Sequence, residues 1–394
     1  MDVKQIYSLV NTVSGEVLGR TDLVHEDLTG VVDLGNEVFN QNAVDNYVKS
    51  LVNHIGKVVF VNRPYSGKVP SVLMDAWEFG SVLEKISADV PNAEENDTWN
   101  LTDGKEYKQD VFHKPTVSAK FFNSKVTFEV PVSITERQVK ESFSSAEQLN
   151  GFLSMIYSAV EKSMTIKTDA LVMRTINNMI AETLDADKAA FGWVASTHEQ
   201  VDYASASTVR CVNLLKLYNT KTGAHLTADV AVTTPDFIRF AAYQMGLYAD
   251  RLQTISTLFN VGGKKRFTPK DVLHTVLLSD FAAAAKAYLY ADTFHSENVL
   301  LPQAETVASW QATGKDYAFA NVSKIDVKSA SGASVSVSGV LGVMFDRDAL
   351  GVTNLDKRVT TNYNAKAEFF NNYFKFDAGY FNDTNENFVV FFVA

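Results

Sequence analysis

The sequence of 394 residues contains a single cysteine, Cys211, so no disulfide can form within the chain and folding needs no oxidising compartment. It also lacks any uncharged apolar run of about 18 residues, the length that a membrane-spanning helix requires. The first residues, MDVKQIYSLVNTVSGEVLG, show no basic region followed by a long apolar core, as a secretion signal would. We therefore expect a soluble protein that is not exported.

Motifs of the common enzyme classes are missing as well. The sequence contains no Walker A, GxGxxG, GxSxG or HExxH pattern. The histidines are far apart, and none has a second histidine four residues away, as a helical metal site would. They are His25, His54, His113, His198, His225, His274 and His295. We predict no catalytic residue, no cofactor and no metal site, and hence no enzyme.

Positively charged residues are outnumbered by acidic ones and form only short runs. The net charge is −10 and the isoelectric point is near 5.3, which argues against a dedicated nucleic-acid-binding protein because phosphate neutralisation needs a clustered Lys/Arg surface. The strongest basic run is Lys264-Lys265-Arg266, which follows two glycines. It could contact phosphate, but three charges in a turn are more typical of a solvated loop.

Two further places could carry chemistry. Cys211 lies in VRCVNLLKLY, which we interpret as a helix, where a small buried side chain is more common than a nucleophile. Asp346 and Asp348 flank Arg347 and could form an acid/base pair. A solvated strand end with a local ion pair is the interpretation that we favour for them.

The N-terminal third alternates between irregular and packed segments. Residues 1–44 contain Gly15, Gly19, Gly30 and Gly35, which we interpret as an extended arm. A short helix ending at Gly56 and a buried strand at Val58–Val61 follow.

The segment from Arg63 to Pro115 is rich in proline and glycine, with a strongly polar middle, and is too long for an ordinary connection. It is either disordered or a protruding hairpin. The strand after it favours the hairpin, because Val126, Phe128 and Val130 alternate with polar residues. Pro131 places that strand at a sheet edge or a bulge.

The longest helical pattern runs from Phe152 to Leu184, without proline or glycine, and predicts a helix of roughly 50 Å. Its length indicates a structural spine. Further elements follow in mixed order, which indicates an α+β fold. They are helices at Thr208–Tyr218, Pro235–Phe259 and Phe281–Tyr290, strands at Val272–Leu278 and Val299–Leu301, and a hairpin of Ile325–Val327 with Val335–Val337.

The C-terminal fifty residues are the most informative. An apolar strand runs into Asp346–Gly351, and two aromatic-dense segments, Phe369–Phe381 and Phe388–Val393, are joined by an Asn/Asp-rich turn. With the elements before it, this order resembles the Hong Kong 97-type fold of tailed-phage major capsid proteins. The segments VDNYVKSLVNHIGKVVF (44–60), LNGFLSMIYSAVEKSM (149–164) and NNYFKF (371–376) look most like the short-tailed, protein-primed phages.

The resemblance implies an α+β Hong Kong 97-like capsid fold with a defined division of the chain. It implies an N-terminal arm (1–44), a helix and strand of the peripheral domain (45–62), an E-loop (63–118), the peripheral domain with its spine helix (119–225), an axial domain (226–345) and return strands of the peripheral domain (346–394).

It also implies a function. The chain would be the major capsid protein of a tailed bacteriophage, forming pentamers and hexamers of an icosahedral head around double-stranded DNA that it holds non-specifically. Its partners would be other copies of itself, a scaffolding protein and a portal, without any membrane. It would reside in the virion after assembly in the bacterial cytoplasm. An encapsulin-type nanocompartment shell is the alternative with the same fold, and an unrelated hydrolase or binding protein is a third.

The resemblance also implies that the E-loop makes the contact between subunits. We expect the aromatic residues Trp77, Phe79 and Trp99 to dock on a neighbouring subunit, and the acidic residues Glu94 and Glu95 to face water beside them. Some members of the broader superfamily cross-link an E-loop lysine to a neighbour's asparagine. The lysines here are Lys68, Lys85, Lys105 and Lys108, and nothing in the sequence selects one of them.

Overall fold

The fold is taken from a computed structural model of the chain. It describes residues 3–21, 24–25, 30–40, 46–47, 50, 69–74, 83–88, 93, 95, 99–107, 110, 112–114, 117–142, 146–188, 207–290, 304–311, 317–330, 332 and 334–394. Across these residues, no helix combines the length and the apolar character needed to cross a membrane.

Helices and strands alternate in mixed order, as expected for the predicted α+β class. The helices are α1 (Val3–Leu18), α2 (Val31–Asn40), α3 (Glu136–Ser142), α4 (Ala146–Ala186), α5 (Leu214–Thr222), α6 (Ala228–Ala231), α7 (Pro235–Arg251), α8 (Ser279–Tyr290) and α9 (Phe319–Val322).

The strands form two larger sheets and two hairpins. The strands are β1 (Leu73–Met74), β2 (Leu83–Ala88), β3 (Val117–Phe122), β4 (Lys125–Thr135), β5 (Cys211–Asn213), β6 (Leu273–Leu278), β7 (Ala304–Val307), β8 (Ile325–Lys328), β9 (Ser334–Val337), β10 (Val340–Asp346), β11 (Leu350–Asn364), β12 (Phe369–Asn382) and β13 (Phe388–Phe392). One sheet has the order β1-β11-β12-β4, the other β5-β13-β10-β6-β7; β2 pairs with β3, and β8 with β9.

The chain divides into two compact units. The first comprises Met1–Glu78, Lys125–Val172 and Val352–Gly379. Its core joins apolar residues of α1, α2 and α4 to the inward side chains of β12, among them Phe370, Phe374 and Phe376.

The predicted extended arm over residues 1–44 is wrong. Helices α1 and α2 occupy most of the described part of this segment. Leu9, Val10 and Val13 of α1 are buried in the core of the first unit. Gly15 costs a helix only about 1 kcal/mol relative to alanine, which the burial of this apolar stripe offsets.

The edge position of β4 agrees with the prediction from Pro131. Among the described strands, β4 pairs on one side only, antiparallel to β12, where Pro131 lies opposite Tyr373. Proline has no N–H to donate, so an edge strand tolerates it without losing a ladder hydrogen bond.

The second unit comprises Phe79–Ser124, Met173–Gly351 and Tyr380–Ala394. Strands β6, β10 and β13 are buried along their whole length, which is typical of central strands covered on both faces. The two C-terminal aromatic strands are therefore separated: β12 pairs with β4, and β13 lies between β10 and β5. The predicted return of all of residues 346–394 to one peripheral domain does not hold.

Of the helices and strands predicted in the second unit, some are present and others are wrong in their bounds. The strand at 273–278, the helix at 279–290 and the β8–β9 hairpin are present. The predicted helix Thr208–Tyr218 is wrong at its start, because residues 211–213 pair in parallel with β13 and the Asn213 side chain caps α5. Helix α7 ends at Arg251, before the predicted Phe259. The predicted strands Val58–Val61 and Val299–Leu301 lie outside the described residues.

The predicted spine helix is confirmed. Helix α4 has 41 residues, or about 60 Å at 1.5 Å per residue. Ile156 and Val160 are buried in the core of the first unit.

A proline in α4 tests this continuity. Ile156→Pro removes a backbone hydrogen bond and clashes with the preceding turn, at a cost of about 3 kcal/mol or more. Because a whole domain is stable by about 5–15 kcal/mol, we expect a large loss of native helix by circular dichroism. The control Ala159→Ser changes an exposed position of the same helix and should change stability by less than about 1 kcal/mol. Native helix content in Ile156→Pro would contradict a continuous packed helix.

Candidate functional site

The root of the predicted protruding segment is a two-stranded antiparallel hairpin. Strands β2 and β3 pair from Leu83 opposite Phe122 to Ala88 opposite Val117. The sequence prediction of a hairpin within 63–118 is therefore correct at its base. The 28 residues between the strands contain Trp99 and Glu95 among the described positions.

Beyond its base, where Leu83 and Phe122 lie on the inward face, this hairpin has faces opposite in polarity to those of an ordinary surface sheet. The outward face presents Ile86, Val117 and Phe121, which are 60–67% exposed, together with exposed Ala88 and Ala119. The inward face carries Lys85, Ser87, Ser118 and Lys120, and the serine hydroxyls lie 3.0 Å apart. Since large exposed apolar patches on soluble proteins mark contact surfaces, this face is the candidate functional site.

Two lysines hold the inward face in place. Lys85 and Lys120 lie directly opposite each other in the ladder, an arrangement that is repulsive by itself. Both reach the turn between β12 and β13: Lys85 Nζ lies 3.0 Å from Asp383 Oδ2, and Lys120 Nζ lies 3.0 Å from Asp383 Oδ1. The carboxylate between the two ammonium groups replaces the repulsion with attraction.

A second carboxylate extends this cluster. Lys85 Nζ lies 2.8 Å from Glu386 Oε1, which Arg266 Nε also approaches at 3.2 Å. Lys85 further donates a hydrogen bond to the backbone carbonyl of Asp348 at 3.2 Å. We call the set Lys85, Lys120, Arg266, Asp383 and Glu386 the ionic anchor of the hairpin.

The ionic anchor is charged on both sides. Burial raises the pKa of Asp383, but the charge of Lys85 and the hydrogen bonds from Lys120 and Lys85 outweigh burial and hold the pKa below its usual value. Burial lowers the pKa of Lys85, whereas the hydrogen bond to Glu386 and the charge of Asp383 reverse this effect and raise it. Lys85 and Asp383, 3.0 Å apart, therefore form a salt bridge.

The predicted contact residues are only partly described. Trp99 is 93% exposed, with a left-handed φ of 77°, and Glu95 is exposed as well. Trp77, Phe79 and Glu94 lie outside the described residues, as do Lys68 and Lys108. The docking role of these residues stays a prediction.

The sequence reasoning missed the ionic anchor. The available signal was a lysine on each flanking strand together with the acidic turn NDTNEN at 382–387. Nothing in either segment alone says that they meet, because about 260 residues separate Lys120 from Asp383.

The other chemical candidates have structural explanations. Asp346 is buried and accepts hydrogen bonds from the Thr268 hydroxyl at 2.8 Å and the Asp348 N–H at 2.9 Å, so the predicted solvated ion pair is wrong. Burial raises its pKa despite these donors. Arg266, predicted to lie in a solvated basic loop, is instead half-buried against Glu386.

Cys211 and His274 also lack a reactive arrangement within the described structure. Cys211 is buried in β5 and not on a helix, and burial raises its pKa well above the ordinary value. His274 is buried against Phe345, where burial and the charge of Arg347 lower its pKa. Throughout the described parts of the chain, no group of three His, Cys, Asp or Glu side chains is placed to hold a metal ion.

Comparison with known proteins gives one match to a family. The model of the family described as Phi29-like phage major capsid protein matches residues 8–392. No curated protein matches the chain.

Solved structures with a similar fold include those of phage capsids. The capsid of Staphylococcus phage Andhra has 11% identity and a TM-score of 0.49, covering 84% of this chain and 86% of that chain. The capsid of Cyanophage P-SCSP1u has 10% identity and a TM-score of 0.44, covering 84% and 89%. The mature capsid of bacteriophage PhiM1 has 8% identity and a TM-score of 0.40, covering 84% and 88%.

Neutralising Asp383 tests the ionic anchor. Asp383→Asn keeps the shape of the side chain but leaves Lys85 and Lys120 opposite each other without their shared carboxylate. We expect a loss of about 2 kcal/mol in the free energy of unfolding at pH 7, measured with denaturant. Asp326→Asn, at an exposed pair with a 3.9 Å separation, is the control and should lose less than about 1 kcal/mol.

The pH dependence provides a second readout of the same variant. Because the folded pKa of Asp383 is lowered, its stabilisation is present above the ordinary aspartate value of about 3.9 and is lost as pH falls through the folded pKa. The difference between wild type and Asp383→Asn should therefore shrink below about pH 4. A difference that is zero at pH 7, or that grows on acidification, would contradict the assigned role.

Proposed function

The chain belongs to the family of Phi29-like phage major capsid proteins, and from that premise we propose that its copies assemble into pentamers and hexamers of an icosahedral phage head. The protein is a major capsid protein and a component of the virion shell; the encapsulin alternative is not favoured. Its role is structural, and we propose that it has no enzymatic activity.

The observation that carries the assembly proposal is the outward face of the β2–β3 hairpin. Ile86, Val117 and Phe121 are exposed in the single subunit, although burying such side chains contributes about 1.5–3 kcal/mol each. The ionic anchor on the other face directs this apolar surface away from the subunit. A neighbouring copy is the partner that a shell supplies.

The tip of the hairpin extends this surface. Trp99 is almost fully exposed, and we propose that it docks on the neighbour together with Trp77 and Phe79. Aromatic side chains are enriched among residues that dominate protein interfaces. Glu94 and Glu95 would remain in water at the rim, where charges affect association rates more than affinity.

The remaining partners follow from the proposed head. With a net charge of −10, the chain would enclose double-stranded DNA by containment and not by tight binding, since affinity for phosphate needs clustered positive charge. A scaffolding protein and a portal would take part in assembly in the bacterial cytoplasm. Residues 63–118 would form the E-loop of the shell subunit, and residues 226–345 its axial domain.

Assembly and the outward face are tested together by co-expression with the other head genes of the phage. We expect wild-type shells by light scattering and negative-stain microscopy. Ile86→Ser combined with Phe121→Ser should leave the unfolding midpoint nearly unchanged, because both side chains are exposed, but raise the protein concentration needed for assembly about tenfold or more. Glu84→Gln, a polar change on the same face, is the control. Only monomers or dimers of the wild type would overturn the proposal.

Removal of the hairpin tip is a separate prediction. Deleting residues 91–104 removes Trp99 but leaves β2, β3 and the ionic anchor intact. We expect soluble protein with the circular dichroism spectrum of the wild type and a severe loss of particles. An equal loss of soluble protein and of particles would place this segment in the core of the subunit itself.

A further inference from the structure

A second surface of the chain has the features of a preformed contact. Residues 252–268 form most of the connection between α7 and β6 and are fixed at several points. Thr268 N donates to Leu252 O at 2.7 Å, closing the segment at its base, and Phe388 N donates to Phe259 O at 2.9 Å. Leu252, Phe259 and Thr268 are buried. The segment is therefore a built part of the second unit.

Asn260 fixes the tip of this segment. Its Oδ1 accepts from Lys264 N at 2.8 Å, and its Nδ2 donates to Lys264 O at 2.7 Å. The next glycine, Gly262, lies so close to the turn after β12 that a Cβ would meet Asn385 Oδ1 at 1.9 Å. A larger side chain there would require the Asn385 side chain to move. Gly262 N also donates to Thr384 O at 2.8 Å, which ties the tip to the turn that carries the ionic anchor.

The outer side of this fixed segment is apolar. Ile255, Leu258 and Phe267 are 53–59% exposed. Ser256 and Arg266 form an antiparallel bridge, and Arg266 reaches inward to Glu386. Because side chains alternate along extended chains, Ile255 and Phe267, which flank the bridge, lie together on its opposite side.

The charge of the segment is opposite to that of the whole protein. Residues 252–268 contain three basic residues, Lys264, Lys265 and Arg266, and no acidic residue, whereas the chain carries a net charge of −10. Of the three, Arg266 is already paired with Glu386. An acidic copy of the same chain is thus complementary to this loop. The apolar side chains favour a protein surface over DNA, because phosphate recognition would leave them exposed to water.

We propose that the loop 252–268 is a second self-association surface, in which Ile255, Leu258 and Phe267 dock on an acidic region of another copy of the chain. The inference rests on the proposed self-assembly and adds a contact separate from the hairpin. Its fixed conformation lowers the entropy lost on docking, since the segment is already ordered in the single subunit.

The test compares three variants in the same co-expression assay. Ile255→Ser combined with Phe267→Ser should fold as wild type and need about tenfold or more protein to assemble. Val230→Ser, a similar loss of apolar surface at an exposed position of α6, is the matched control and should assemble normally. Lys264→Glu combined with Lys265→Glu tests the charge of the loop and should also reduce assembly. This variant keeps the proposal testable if the apolar variant fails to fold.

The outcomes separate this inference from the proposed function. If wild-type shells form and the hairpin variant fails while both loop variants assemble at wild-type yield, only the loop proposal is overturned. Shells at wild-type yield that retain less DNA would also overturn it, since they would identify nucleic acid as the partner. An equal defect in Val230→Ser would show that the effect is not specific to the loop.

Discussion

Two lysines placed opposite each other on a hairpin need an anion between them, and Asp383 supplies it. The turn between β12 and β13 that carries Asp383 also carries Glu386, which binds Arg266, and Asn385, against which Gly262 packs. The hairpin and the loop 252–268 are therefore fixed to the same five-residue turn. Both surfaces that we propose for self-association depend on this one electrostatic centre, which is stabilising only because each buried charge has a partner of opposite sign.

The arrangement separates the stability of the subunit from its assembly. Each unit has its own apolar core, so we expect the subunit to fold without its neighbours. The outward hairpin face and the loop expose apolar side chains on backbones that are already ordered. Contacts between such preformed surfaces can each be weak, because a closed shell repeats them many times.

Prediction from sequence succeeded where a local pattern repeats over many residues. The spacing of apolar residues along α4, the alternation along β4 and the aromatic density of β12 and β13 each reflect the period of a single element. It failed where glycines were taken as helix breakers in α1, where an apolar stripe containing Val10 and Val13 outweighs the weak propensity of Gly15. It also failed at Cys211, because a three-residue strand is too short to show a period and exists through pairing with β13.

The types of the strongly periodic elements, the order of segments and the family resemblance could be read from the residues alone, since apolar periodicity and segment order are visible in a linear chain. The folded chain was needed to show that Lys85 and Lys120 meet Asp383, that β12 and β13 enter different sheets, and that Asp346 is buried. These features depend on residues that are far apart in the sequence and close in space. Charge pairing and burial are properties of positions in space, and the residues that meet here are separated by up to about 300 positions along the chain.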